Sequence, residues 1–168
     1  RARTAEAAER AQAALIAATP AWAAKPDAAT LAGMFEVMGY LEALCAGLSA
    51  RMMDAREREA LDALHQDMAR IVHAGDAAGY AEANDAFHAA IYIGAHNGYL
   101  EEITRSTRQR VQPFRRAQFG ALGRLARSHA EHSVIVDAIL QGDRSKAEQA
   151  MRQHISIVEN AYQRMVGE

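Results

Sequence analysis

Apolar residues in this chain recur at intervals of three and four, and that period commits nearly all of it to helices packed on one another. From about Ala29, the stripe Leu31, Met34, Phe35, Met38, Leu41, Leu44, Cys45, Leu48 and Met52 marks one long core helix. A second runs over 55–74 on Leu61, Leu64, Met68, Ile71 and Val72, and Gly75-Asp76 supplies a C-cap followed by a fresh N-cap. Residues 77–95 turn Tyr80, Ala83, Phe87 and Ile91 inward. Asn97-Gly98 breaks that helix before a stretch with Leu100, Ile103, Thr107, Val111 and Phe114, where Pro113 is expected to introduce a kink. Gly120 and Gly123 mark a joint, and 124–141 then carries Leu125, His132, Ile135, Val136, Ile139 and Leu140 on one face. After Gly142-Asp143 the last helix repeats Ala147, Met151, His154, Val158, Ala161, Tyr162 and Met165.

The expected fold is therefore all-α, an antiparallel bundle of six to seven helices with short loops and no sheet. A chain that is half apolar, only 6% aromatic and rich in alanine agrees with this. Residues 4–18 form an alanine-rich helical stretch, and Pro20 and Pro26 interrupt the segment after it. Residues 1–29 thus read as an N-terminal helical segment or linker, and 30–168 as the main domain. The chain starts at Arg1 without an initiator Met, which suggests a piece of something longer.

A net charge of −2 and a pI near 6.4 leave no basic field to hold a polyanion, so direct nucleic-acid binding is not expected. The lone Cys45 lies in an apolar stripe and reads as a buried small hydrophobe in a reducing, cytoplasmic setting. No apolar run approaches the roughly 20 residues that span a bilayer, and no basic n-region with an apolar h-region opens the chain. A soluble protein with no membrane partner is expected.

The chemistry concentrates on three histidines. Asn84 and His88 stand four apart and share a helix face, so they could offer an amide oxygen and an imidazole nitrogen to one ion. His132 and His154 each sit inside a separate apolar stripe. A single histidine on such a face is most often a hydrogen-bonded core residue. Three together are harder to satisfy, and a divalent cation would take three lone pairs at once. Asp85, adjacent to Asn84, is an alternative ligand that spacing alone does not separate from it. His129 reads as a surface or supporting residue, His65 and His73 as solvated, and His96 as a helix C-terminal residue favoured by the dipole. Arg105, Arg108, Arg110, Arg115 and Arg116 form a cluster that is either a solvated face or an anion clamp, with Arg108 and Arg115 nearest the inward stripe. No Glu-x-x-His pair, phosphate loop, His-Glu-x-x-His or activated Ser or Cys is present, so no enzyme motif appears.

The run Asn84-Asp85-Ala86-Phe87-His88, then Asn97 and Leu100, then Glu131-His132, Ile135, Asp137-Ala138-Ile139, Gly142-Asp143, Ala147, Met151 and His154 resembles the FCD domain. That is the C-terminal ligand-sensing domain of FadR-type GntR transcription regulators. Phe35-Glu36 and Leu41-Glu42 resemble its opening helix, and the likeness covers about residues 30–165. It implies a dimeric helical effector domain that responds to a small organic acid and controls an N-terminal winged-helix DNA-binding domain, for which the residues before 30 are too few. In metal-containing members the ion is held by an Asp or Asn and three His, which correspond here to Asn84, His88, His132 and His154. Two departures stand out. Asn84 replaces the common acidic ligand and removes one negative charge. The basic residue frequent in the opening helix falls at Met38 or Gly39, which leaves Arg108 and Arg115, or the metal, to meet an effector carboxylate.

Residues and resemblance together imply a sensing and dimerisation domain holding a divalent metal, zinc or nickel, whose coordination a small carboxylate completes. The competitors are a metal-dependent hydrolase-like enzyme and a metal-free helical interaction domain.

Overall fold

The structure, a computed structural model, describes residues 26–166, with side chains through Asn160. The 4–18 stretch and the side chains of Ala161, Tyr162 and Met165 lie outside the described residues. Six α-helices follow one another: α1 (Ala28–Met52), α2 (Ala55–Ala74), α3 (Ala77–Gly94), α4 (Gly98–Ala117), α5 (Arg124–Leu140) and α6 (Arg144–Val166). A single 3-10 turn, Gln118–Gly120, joins α4 to α5, and no strand occurs among the described residues. The chain divides into two compact units, Arg1–Ala32 and Gly33–Glu168, and the bundle is the second.

Short connections at 53–54, 75–76, 95–97 and 141–143 oblige successive helices to fold back beside one another. The pairs α2–α3, α2–α5, α3–α4 and α5–α6 make the main helix contacts. Local chemistry sets the boundaries. Asp54 closes a capping box on α2, its carboxylate accepting from the Glu57 amide while the Glu57 side chain accepts from the Asp54 amide. Gly75 ends that helix in the left-handed region at φ 66°. Asp76 and Asn97 cap α3 and α4. Helix α4 continues through Pro113 to Ala117.

The core is built from Phe35, Met38, Leu61, Met68, Tyr80, Phe87, Ile91, Ile135, Ile139 and Met151, all essentially inaccessible to water. On α1 the buried face is rotated from the expected one. Leu44 is 39% and Met52 50% exposed, while Glu42, Ala46, Ser49 and Ala50 point inward. Small residues let α1 lie close to its neighbours, so the seam follows 35-38-42-45-49 rather than the largest side chains. Leu140, expected inside, is likewise exposed. Cys45 is buried as expected, its Sγ 3.6 Å from Thr104 Oγ1.

Three further expectations change. His65 is buried rather than solvated, with Nε2 2.9 Å from Ser133 Oγ and its ring stacked on His129 at 4.1 Å. His96 stands beyond the end of α3 at φ 51°, its imidazole 2.9 Å from Glu57. In length and composition α1 does reach what a bilayer span requires, contrary to the sequence expectation, but half of its apolar window is buried within the protein. A fully buried Glu42 near its middle, ion-paired to α4, fits a core helix better than a lipid-facing one.

Because Asp54 satisfies an otherwise orphaned amide at the start of α2, Asp54→Ala should cost about 1 kcal/mol. Urea unfolding checks this as a lower midpoint with an unchanged slope; an unaltered midpoint would mean that the capping box contributes nothing.

Candidate metal centre

Three helices deliver one histidine each to the middle of the bundle: His88 from α3, His132 from α5 and His154 from α6. All three are buried, and one ring nitrogen of each lies within 4.8 Å of the others. His132 Nε2 and His154 Nε2 are 3.4 Å apart. Phe87 stacks on His132 at 4.3 Å and meets His88 edge-on, fixing both rings by packing.

Two carboxylates orient this cluster. His88 Nδ1 is 2.5 Å from Glu42 Oε2, and His154 Nδ1 is 2.7 Å from Glu131 Oε2. An ionised carboxylate only accepts, so in each pair Nδ1 carries the hydrogen and Nε2 keeps a free lone pair. His88 Nε2 indeed has no hydrogen-bond partner, and neither has Asn84 Oδ1 one turn earlier on the same helix. Arginines hold the carboxylates in turn. Arg108 Nη1 donates to Glu42 at 2.9 Å, and Arg124 grips Glu131 with two bonds of 2.8 and 3.0 Å.

The electrostatics follow from burial. Desolvation holds His88 and His132 well below the usual imidazole range, and it holds His154 below it as well. All three are therefore neutral near pH 7. Burial pushes the Glu42 carboxyl upward, but His88 and Arg108 outweigh it and keep the group ionised. With His88 neutral, its bond to Glu42 is an ion–dipole contact and Arg108 is the countercharge. The set is three neutral imidazoles with one ring nitrogen each gathered within 4.8 Å, and two of them, His88 and His154, are braced from behind by a carboxylate that leaves their Nε2 lone pairs free. Such an arrangement suits a divalent cation.

A profile of the FCD domain matches residues 33–156. The chain belongs to the FCD domain family. Among solved structures, the domain is similar to a GntR protein of Streptococcus agalactiae, with a TM-score of 0.69 and 23% identity. That likeness shows the shared fold. It covers 83% of this chain and 63% of that one, so the chain spans less than two thirds of its relative's length. No curated protein matches. The FCD domain is the effector-binding regulatory domain of GntR-type regulators.

Within this FCD domain the other expected site residues have distinct surroundings. Asp85 does not join the histidines. Its carboxylate is shared by Arg108 at 3.2 Å, Gln112 at 2.9 Å and Arg116 at 2.6 Å. Arg108 is committed to Glu42 and Asp85, with Tyr92 Oη 3.3 Å away. Arg115 is buried at 3% exposure, forms no ion pair among the described residues, and its Nε has no hydrogen-bond partner. His129, expected at the surface or in support, is half-buried, with Nε2 3.1 Å from the His65 carbonyl. Glu42 and Glu131 were not among the expected functional residues. A charged residue on the apolar seam 35-38-42-45-49 was the available signal for Glu42; Glu131, adjacent to His132, had none beyond that adjacency.

Depressed histidines make the metal-free domain acid-sensitive. The unfolded chain takes up protons below the ordinary imidazole value of 6.5, while the folded domain resists them, so the unfolded state gains as pH falls through that value. Stability should be retained above about pH 7 and decline toward pH 5. Thermal melts across that range would check it, and a flat melting temperature would contradict neutral buried imidazoles.

Proposed function

We propose that this FCD domain holds a divalent metal through Asn84 Oδ1 and the Nε2 atoms of His88, His132 and His154, and uses it to sense a small organic acid. The observation that carries the reading is the 3.4 Å between two Nε2 atoms of neutral rings. Two nitrogens bound to one zinc at about 2.0–2.1 Å in tetrahedral geometry stand roughly 3.3–3.4 Å apart. The unpartnered Asn84 Oδ1 and His88 Nε2 support the same reading, since buried polar atoms ordinarily have partners.

Imidazoles with an amide oxygen suit zinc or nickel rather than magnesium or calcium, which prefer oxygen ligands. Asn84 rather than Asp85 is the fourth ligand, because arginines and Gln112 occupy both Asp85 oxygens. The bound ion would supply a Lewis-acidic position for an effector carboxylate, and Arg115 would meet its charge. Asp85, Glu42 and Glu131 are all engaged by arginines or histidines, so no free carboxylate stands at the cluster among the described residues to activate water, which favours a sensor over a hydrolase. Effector binding would bias the arrangement of a homodimer and thereby a winged-helix DNA-binding domain elsewhere in the polypeptide, in the cytoplasm.

Elemental analysis of the purified chain beside the His88→Ala/His132→Ala double variant tests the site. About one zinc or nickel per chain, lost in the variant, is expected. Metal at 100-fold over its Kd should add about 2.7 kcal/mol to the wild type, and His154→Ala should lose most of that gain. Absence of metal after incubation with either ion would overturn the proposal.

A further inference from the structure

The charges around the histidines do not balance. Among the described residues, three carboxylates, Glu42, Asp85 and Glu131, are set among four guanidiniums, Arg108, Arg115, Arg116 and Arg124. Arg108, Arg116 and Arg124 each have a carboxylate partner, which leaves Arg115 as the surplus cation. It sits on α4 two turns beyond Arg108 on the same buried face, and its charge opposes protonation of His88, His132 and His154 alike. Burial and the neighbouring Arg108 lower its guanidinium to about 10, which still leaves it charged at neutral pH. A buried, unpaired charge of this kind is costly to the protein alone, by several kcal/mol in general.

Nothing on the opening helix shares the task. Met38 is fully buried and apolar, and a side chain at Gly39 would meet Ile155 at 3.6 Å. The candidate metal ligands add no negative charge either, because Asn84 and the three imidazoles are neutral. A divalent ion placed there raises the local excess from one positive charge to three. Two neutral hydroxyls, Tyr80 Oη and Ser128 Oγ, are buried without a well-formed hydrogen bond, and the Tyr80 ring lies parallel to His132 at 6.5 Å.

We infer that the effector of this domain carries at least two negative charges, a small di- or tricarboxylate, with one carboxylate on the metal and another on Arg115. This rests on the metal reading above and narrows its ligand class. A monocarboxylate would leave two uncompensated positive charges in a desolvated site, whereas a dianion leaves one and a trianion none. Electrostatic compensation therefore favours the polyanion, and Arg115 is the residue that selects it.

The test is calorimetric titration of the zinc-loaded domain with succinate and with succinamate, which has nearly the same shape and one charge fewer. Succinate should bind at least about tenfold more tightly. Arg115→Met leaves the two positive charges of the metal, so it should reduce that preference without removing it, and Arg115→Lys should restore part of the loss. Thermal melts without acid guard against misfolding: Arg115→Met removes an unpaired buried charge, so its melting temperature should equal or exceed that of the wild type. Equal affinity for the two acids, or an undiminished preference in Arg115→Met, would overturn the inference. Metal content is measured on the same samples, and the titration is repeated after chelation. Loss of the preference on chelation supports the charge argument, and its persistence overturns it. Lack of metal in the loaded sample instead refutes the underlying site.

Discussion

A carboxylate buried without compensation costs several kcal/mol, so Glu42, with no exposed surface, constrains everything around it. Its two oxygens accept from His88 on α3 and Arg108 on α4, which ties the opening helix to two others by directional contacts rather than by packing alone. Arg108 then draws in Asp85, and Asp85 draws in Gln112 and Arg116. One buried negative charge thus organises a network that runs from the centre of the bundle to its surface. Apolar burial supplies the general drive to fold, while this network specifies which way α3 and α4 face.

The same contact determines what the histidines can do. By accepting from Nδ1, Glu42 turns the His88 lone pair inward, and Glu131 does so for His154 from the other side of the cluster. His132 has no such brace. Its Nδ1 is buried without a partner, and its Nε2 faces His154 Nε2, which has no hydrogen to give. In the metal-free protein His132 must therefore carry its hydrogen on Nε2, and an arriving cation requires that hydrogen to end on Nδ1. Metal binding in this domain is consequently linked to a tautomeric change at one ring, with the other two already set.

Much of the architecture was legible because a 3.6-residue period is hard to counterfeit and because Gly75-Asp76, Asn97-Gly98 and Gly142-Asp143 punctuate it. The histidines were legible because each stands inside an apolar stripe. What failed has physical causes. Leu44, Met52 and Leu140 extend a stripe numerically but lie beyond the angle that the neighbouring helices cover. The helix that carries His65 is polar around it, which points to solvent, yet α5 brings His129 and Ser133 against it. Spacing gave no choice between Asn84 and Asp85; only the arginines of α4, distant in sequence, divert Asp85 away. Glu42 and Glu131 stayed hidden because isolated glutamates ordinarily belong to solvent, and their arginine partners lie on helices whose registry no local pattern reveals.

If carboxylate-braced, neutral imidazoles present their Nε2 atoms to one ion, imidazole 15N NMR of the chelated and zinc-loaded domain will register it ring by ring. At neutral pH without metal, His88 and His154 should be Nδ1–H tautomers and His132 the Nε2–H tautomer. Zinc should shift the Nε2 resonance of all three and move the His132 proton to Nδ1. Protonated imidazolium rings, or His88 and His154 found as Nε2–H tautomers with resonances indifferent to zinc, would contradict this arrangement.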